Sequence, residues 1–117
     1  MKLEKYIIGA NATIIDALKQ LNALSGGNSM TLFVVDDNCK VLGTLTDGDV
    51  RRSLISGAAL DTSVSEVMHR DFVALRGDSV DVAEIRRLRA GKVTLVPRLD
   101  NEGKVVRLYD FSVQNSL

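Results

Sequence analysis

Apolar residues along this chain switch between a helical and an extended spacing, and each switch marks an element. Tyr6-Ile7-Ile8 is a short apolar run leading into Gly9-Ala10-Asn11-Ala12, which predicts a strand entering a turn. Ile14, Leu18, Leu21 and Leu24 then recur at helical spacing and predict one buried helix face. Thr13 stands at the N-cap position, with Asp16 three residues on to favour the helix start, and Gly26-Gly27 ends the helix. Thr31-Leu32-Phe33-Val34-Val35 is unbroken and rich in β-branched residues, the pattern of a strand covered on both faces. Asp36-Asp37-Asn38-Cys39 supplies turn chemistry, and Val41-Leu42-Gly43-Thr44-Leu45-Thr46 returns as the hairpin partner. Asp47 is placed to cap a second helix over 48–56, with Val50, Leu54 and Ile55 on its apolar side and Gly57 closing it.

The order then repeats. Ser63-Val64-Ser65-Glu66 has capping-box spacing and predicts a short helical turn leading to Met68. Phe72-Val73-Ala74-Leu75 reads as a strand and Arg76-Gly77-Asp78 as a turn. A helix follows over 79–91, capped by Asp78 or Ser79, with Val82, Ile85 and Leu88 on one side. Thr94-Leu95-Val96 reads as a strand interrupted at Pro97, the only proline, which suits an edge or a strand end because it removes a ladder donor. Asp100-Asn101-Glu102-Gly103 makes a turn, and 104–109 returns. The two hairpins align at an offset of 64 residues, which places Asp36 on Asp100, Cys39 on Gly103 and Lys40 on Lys104. The capped helices align with a slip of two or three residues, Thr13 meeting Ser79. Such a repeat implies two similar units, 1–62 and 63–117, that hide their apolar faces against each other. The second unit stops where its last helix would begin, near Ser112, so a continuing polypeptide is expected.

Composition narrows the function classes. The 117 residues are 45% apolar, enough for one compact unit with a core. Lys and Arg balance Asp and Glu at a formal net charge of zero, without the basic excess of a general nucleic-acid binder. One cysteine, Cys39, excludes an intrachain disulfide and fits a reducing compartment. The N-terminus carries no signal-peptide core, and no apolar run approaches the roughly 18 residues of a membrane span, so a cytoplasmic location is expected. Aromatics at 4% leave little for base-stacking platforms.

Gly43, Thr46 and Asp49, spaced along Gly43-Thr44-Leu45-Thr46-Asp47-Gly48-Asp49-Val50, resemble the signature of the CBS domain: glycine, two mostly apolar residues, threonine or serine, two variable residues, aspartate, then an apolar residue. Thr44 is more polar than usual at its place. The linker from Val64 to Val73 resembles the family's join between repeats. The resemblance covers essentially the whole chain and implies an α/β fold of two β-α-β-β-α repeats, related by a pseudo-twofold axis, in a disc-shaped homodimer. It also implies a regulatory role with no cofactor required, an adenine or guanine nucleotide or a nucleotide sugar being the regulatory ligand. Thr46-Asp47-Gly48-Asp49-Val50-Arg51-Arg52 resembles CBS pairs attached to sugar-phosphate enzymes: nucleotidyltransferases with an N-terminal pair and arabinose-5-phosphate isomerases with a C-terminal one. Met1 just before the first repeat favours the nucleotidyltransferase type, with its catalytic domain covalently linked beyond Leu117.

Under this resemblance each residue takes a role that its chemistry allows. The Thr46 hydroxyl, at a strand end, serves a phosphate or sugar oxygen. Asp49, in the first turn of the following helix, offers two acceptor oxygens to vicinal ribose hydroxyls and is favoured there by the helix dipole. Arg51 and Arg52 present planar donor forks to phosphate. Gly43 permits close backbone approach. The base is expected near Ile8 and the backbone of Thr31 and Leu32. In the second repeat the same offset puts Arg107 on Gly43, Asp110 on Thr46 and Val113 on Asp49, so that cleft is expected to bind no nucleotide in the usual way.

Competing readings weigh against these roles. Asp47 and Asp49 can serve as a helix cap and a first-turn charge alone, and Arg51-Arg52 as a solvated face. With Asp36 and Asp37 they lack the spacing of a hard-metal site. Arg86-Arg87, Arg89 and Lys92 form a basic helix flank whose surface role outweighs nucleic-acid contact. His69, the one histidine, has no cysteine or acid placed beside it for catalysis, and Gly26-Gly27 is not a phosphate loop. No serine–histidine, cysteine–histidine or metal cluster marks the chain as an enzyme in itself. A ligand-free dimerisation scaffold is the main competitor, and an exposed apolar helix face would favour it.

Overall fold

The computed structural model describes residues 3–24, 30–76 and 95–110. The Gly26-Gly27 helix end, the helix expected over 79–91, its basic flank and the segment after Asp110 lie outside these residues.

A 3-10 turn, Leu3–Tyr6, leads into β1, Ile7–Gly9; the helix α1, Ile14–Ala23, follows, then β2, Thr31–Val35, β3, Val41–Thr46, and α2, Asp47–Ile55. After the linker come β4, Leu75–Arg76, β5, Leu95–Leu99, and β6, Val105–Asp110. Each half forms a three-stranded sheet with its middle strand paired parallel to the first and antiparallel to the third. The repeat read from the sequence is visible in the register. Val35 pairs with Val41 and Leu99 with Val105, each just past an irregularity at the same place in the ladder, between Val34 and Val35 and between Arg98 and Leu99. Leu75 pairs with Arg98 as Ile8 pairs with Val34, three residues later than the hairpin offset requires; the slip expected of the capped helices lies outside the described residues.

The unbroken apolar run of β2 is explained by its two covered faces. Leu32 and Val34 face Ile14, Ala17 and Leu21 of α1 and Val50 of α2. Phe33 and Val35 face Leu95, Leu99 and Leu108 of the second sheet. Burying each large side chain contributes roughly 1.5–3 kcal/mol, so the shared face binds the halves into one unit. Lys40 bridges antiparallel to Lys104, and the Val41 N–H donates to the Gly103 carbonyl at 3.0 Å. Because Lys40 and Lys104 are repeat equivalents, a pseudo-twofold axis passes through this bridge.

Several expectations shift. The first strand begins at Ile7, since Tyr6 closes the 3-10 turn. Leu18 is only half-buried, while Ala17 is fully buried in α1, because the face is set by the close approach of the helix to β2. The strand expected over 72–75 shrinks to Leu75–Arg76, and Phe72 and Ala74 pack on the shared core instead. Pro97 lies inside β5, buried and opposite Leu108, rather than at an edge or strand end. The β4 pairing begins only at Arg98, so the parallel ladder starts one residue past the proline. No helix among the described residues is long and apolar enough to cross a membrane.

Candidate functional site

The expected site residues gather around the turn from β3 into α2. Thr46 ends β3 and is the N-cap of α2, where the sequence suggested Asp47. Its extended backbone lets the hydroxyl accept from the Asp49 N–H at 3.1 Å, and Asp49 Oδ2 accepts from the Thr46 N–H at 2.9 Å. This reciprocal box satisfies two helix-end donors at once. Asp47, one residue too late to cap, forms an ion pair with Arg51. The other oxygen of Asp49, Oδ1, accepts from Arg52 at 2.8 Å. The Asp49 side chain is 19% exposed and that of Arg52 72%. Ser53 completes the turn by donating to the Asp49 carbonyl at 2.8 Å.

Asp49 and Arg52 are the two expected residues that line an open cleft of about 460 Å3, within the size range of ligand sites. Its other walls are Ser53, Ser56 and Ala58 with Glu66 and Val67 of the linker, none of which the signature marks. Their only signal in the sequence is position: they follow the helix cap and lie on the turn that returns to it. Thr31 is the cross-strand partner of Thr46, which sets it beside the cap. Ile8 and Leu32 are buried among α1 and α2, so their side chains serve the core and leave this cleft to others. Arg51 is held on the helix surface by Asp47.

Gly43 has a structural use that the sequence did not reveal. A Cβ there would come within 2.7 Å of the His69 carbonyl oxygen and 2.9 Å of Met68 Sδ. His69 pairs with Thr44 through two backbone hydrogen bonds, 2.8 and 2.9 Å long, an isolated antiparallel bridge that ties the linker to β3. The missing side chain at Gly43 admits the linker, which in turn supplies the Glu66 and Val67 wall. His69 itself is exposed and engaged through its backbone. The turn at Val64–Glu66 forms, but without the expected capping box: the Ser63 hydroxyl donates to the Ala10 carbonyl at 2.7 Å instead.

In the second sheet Asp110 pairs with Leu95 as Thr46 pairs with Thr31. Arg107 takes the place of Gly43, and its guanidinium carbon lies 5.3 Å from the centre of the Tyr109 ring. Val113, the counterpart of Asp49, lies outside the described residues. Among the described residues no group of three or more histidine, cysteine, aspartate or glutamate side chains is placed to hold a metal.

Residues 3–56 match the CBS domain family. Arabinose 5-phosphate isomerase GutQ of Escherichia coli O6:H1 is 36% identical over 109 residues, covering 89% of this chain and 32% of that enzyme. The chain thus spans about a third of the length of the curated relatives it matches. Among solved structures, the cytosolic domain of the Mg2+ channel MgtE in complex with ATP is similar at 26% identity and a TM-score of 0.75, covering 97% of this chain and 45% of that one. Staphylococcus aureus OpuCA is similar at 25% identity and a TM-score of 0.72, covering 94% and 89%.

Proposed function

We propose, from the premise that residues 3–56 of this chain are a CBS domain, that the chain is a regulatory module whose first cleft binds an adenine or guanine nucleotide. The observation that carries this reading is the joint presence of the Asp49 carboxylate and the Arg52 guanidinium in the wall of one cleft, at the first turns of α2. One supplies acceptors for ribose hydroxyls and the other donors for phosphate. The ATP bound by the MgtE domain supports the ligand class. Binding regulates only if the ligand prefers one state of an attached domain. That domain, in our reading, acts on a sugar phosphate. The relatives that support it are arabinose 5-phosphate isomerases, and no comparison above supports the nucleotidyltransferase type suggested by the position of Met1.

A ligand-free dimerisation scaffold is the second reading. Ile55, expected on the apolar side of α2, is 79% exposed and favours it by offering an uncovered apolar surface. Thermal melts of this chain with AMP, ATP, GMP, GTP, cytidine nucleotides, S-adenosylmethionine and nucleotide sugars separate the two. A ligand at a hundred times its dissociation constant stabilises by about 2.7 kcal/mol. Asp49→Asn keeps an oxygen for the Thr46 N–H but removes the charge, and should weaken binding by about tenfold. A chain that remains dimeric and shows no shift with any of these ligands at millimolar concentration is a scaffold.

A further inference from the structure

The linker brings into the cleft wall a negative charge that the family signature does not mark. Glu66 ends the turn Val64–Glu66 and lines the same cleft as Asp49 and Arg52. The turn is held in place. Val64 is fully buried, its N–H donates to the Ala12 carbonyl at 2.8 Å, and the Glu66 N–H donates to the Ser63 carbonyl at 3.0 Å. Just beyond it the linker is tied to β3 through His69. The Glu66 side chain is exposed, and among the described residues no hydrogen bond or ion pair engages its carboxylate. Arg70, the linker's arginine, donates to the Ser65 carbonyl at 3.2 Å instead. The charged side chains lining the cleft among the described residues are thus Asp49, Arg52 and Glu66. Asp49 and Arg52 pair with each other, so Glu66 leaves the wall with an unbalanced negative charge.

Resting on the nucleotide reading above, we propose that Glu66 is a specificity-determining residue: its carboxylate disfavours the more highly charged nucleotides, so that the cleft takes a nucleoside monophosphate in preference to a triphosphate. A cleft of about 460 Å3 keeps the phosphates of a bound nucleotide within roughly a Debye length, about 8 Å, of its wall. Repulsion at that range, partly screened by salt, costs about twofold in affinity per added charge. A triphosphate carries about two charges more than its monophosphate, so the carboxylate discriminates by about fourfold.

Calorimetric titration of the chain with AMP, ATP, GMP and GTP in magnesium-free buffer tests this. Glu66→Gln keeps the shape of the side chain and removes its charge. The affinity ratio of triphosphate to monophosphate should rise by about fourfold, and Glu66→Lys should raise it further. In about 0.5 M salt, where the Debye length falls to about 4 Å, the gain in Glu66→Gln should shrink below about twofold. Glu102→Gln makes the same change of net charge at the exposed second hairpin and should leave the ratio unchanged. A wild-type chain that binds the triphosphate more tightly than its monophosphate, an unchanged ratio in Glu66→Gln, or an equal rise in Glu102→Gln overturns the role of Glu66 and leaves the nucleotide reading standing. If the wild-type chain binds none of the four, both fall.

Discussion

Cys39 has φ +66°, the left-handed backbone conformation that side chains disfavour, and its repeat equivalent Gly103 has φ +84°. Both hairpins are built alike around an aspartate. Asp36 Oδ1 accepts from the N–H groups of Asn38 and Lys40, and Asp100 Oδ1 from those of Glu102 and Lys104. Only the second hairpin has the glycine that this geometry favours. Cys39→Gly should therefore relieve about 1 kcal/mol of strain, offset by about half that in unfolded-state freedom, and raise the melting temperature by about 2 °C. The reverse change, Gly103→Ala, should lower it, since a Cβ there would lie 2.9 Å from Lys40 Cγ. Paired melts check both, and a lower melt for Cys39→Gly would refute the argument. This match of turn residues was legible in the sequence because the hairpin pattern is local. The Gly43 contact was not, because its cause, the Met68-His69 linker, is some 25 residues away in the chain and nothing in the spacing connects them.

Helix and turn ends show where sequence reasoning reaches and where it stops. Thr13 and Asp16 form the expected box on α1: the Thr13 N–H and hydroxyl each donate to Asp16 Oδ2 at 3.0 Å. The same spacing at Ser63 forms none, because a hydroxyl follows whichever acceptor the tertiary fold presents, there the Ala10 carbonyl. At α2 the cap moved one residue back because the extended backbone of Thr46 still belongs to β3. Pro97 was misread for a similar reason. Its place in a middle strand depends on β4 being two residues long, which no local signal announces. The α1 cap and the second hairpin turn carry a pH consequence. The Thr13 backbone N–H, then its hydroxyl, holds the Asp16 carboxyl below its ordinary value of 3.8. The Lys104 N–H, ahead of that of Glu102, does the same for Asp100. A carboxyl depressed in the folded state stabilises fully above its unfolded pKa, and that stabilisation is lost as pH falls through the folded value. The melt should thus change little from pH 7 to about 5 and fall below about pH 4. In the double variant Asp16→Asn, Asp100→Asn the melt should start lower at neutral pH and fall less on acidification. An equal acid drop in variant and wild type would place the cause elsewhere.

Across the molecule, near-symmetry of the backbone coexists with asymmetry of the chemistry. The pseudo-twofold axis at the Lys40–Lys104 bridge relates two sheets of the same order, and symmetry alone would supply two clefts. The repeat was readable because one offset holds across both hairpins, and it implied that the two halves cover each other; which side chains meet, Phe33 and Val35 against Leu95 and Leu99, was not, since an apolar run does not name its partners. The side chains break the symmetry. Where the first sheet has Gly43, against which the His69 carbonyl packs, the second has Arg107 with its guanidinium over the Tyr109 ring. Where the first has Thr46, whose hydroxyl caps a helix, the second has Asp110 at the equivalent register position. Asp110 replaces an uncharged threonine with an acidic residue, a change that disfavours an anionic ligand at that position. Calorimetry should therefore give one nucleotide per chain, and Asp49→Asn should weaken that single event by about tenfold without exposing a second one of similar strength. Two equivalent binding events in the wild-type chain would mean that backbone symmetry outweighs these substitutions.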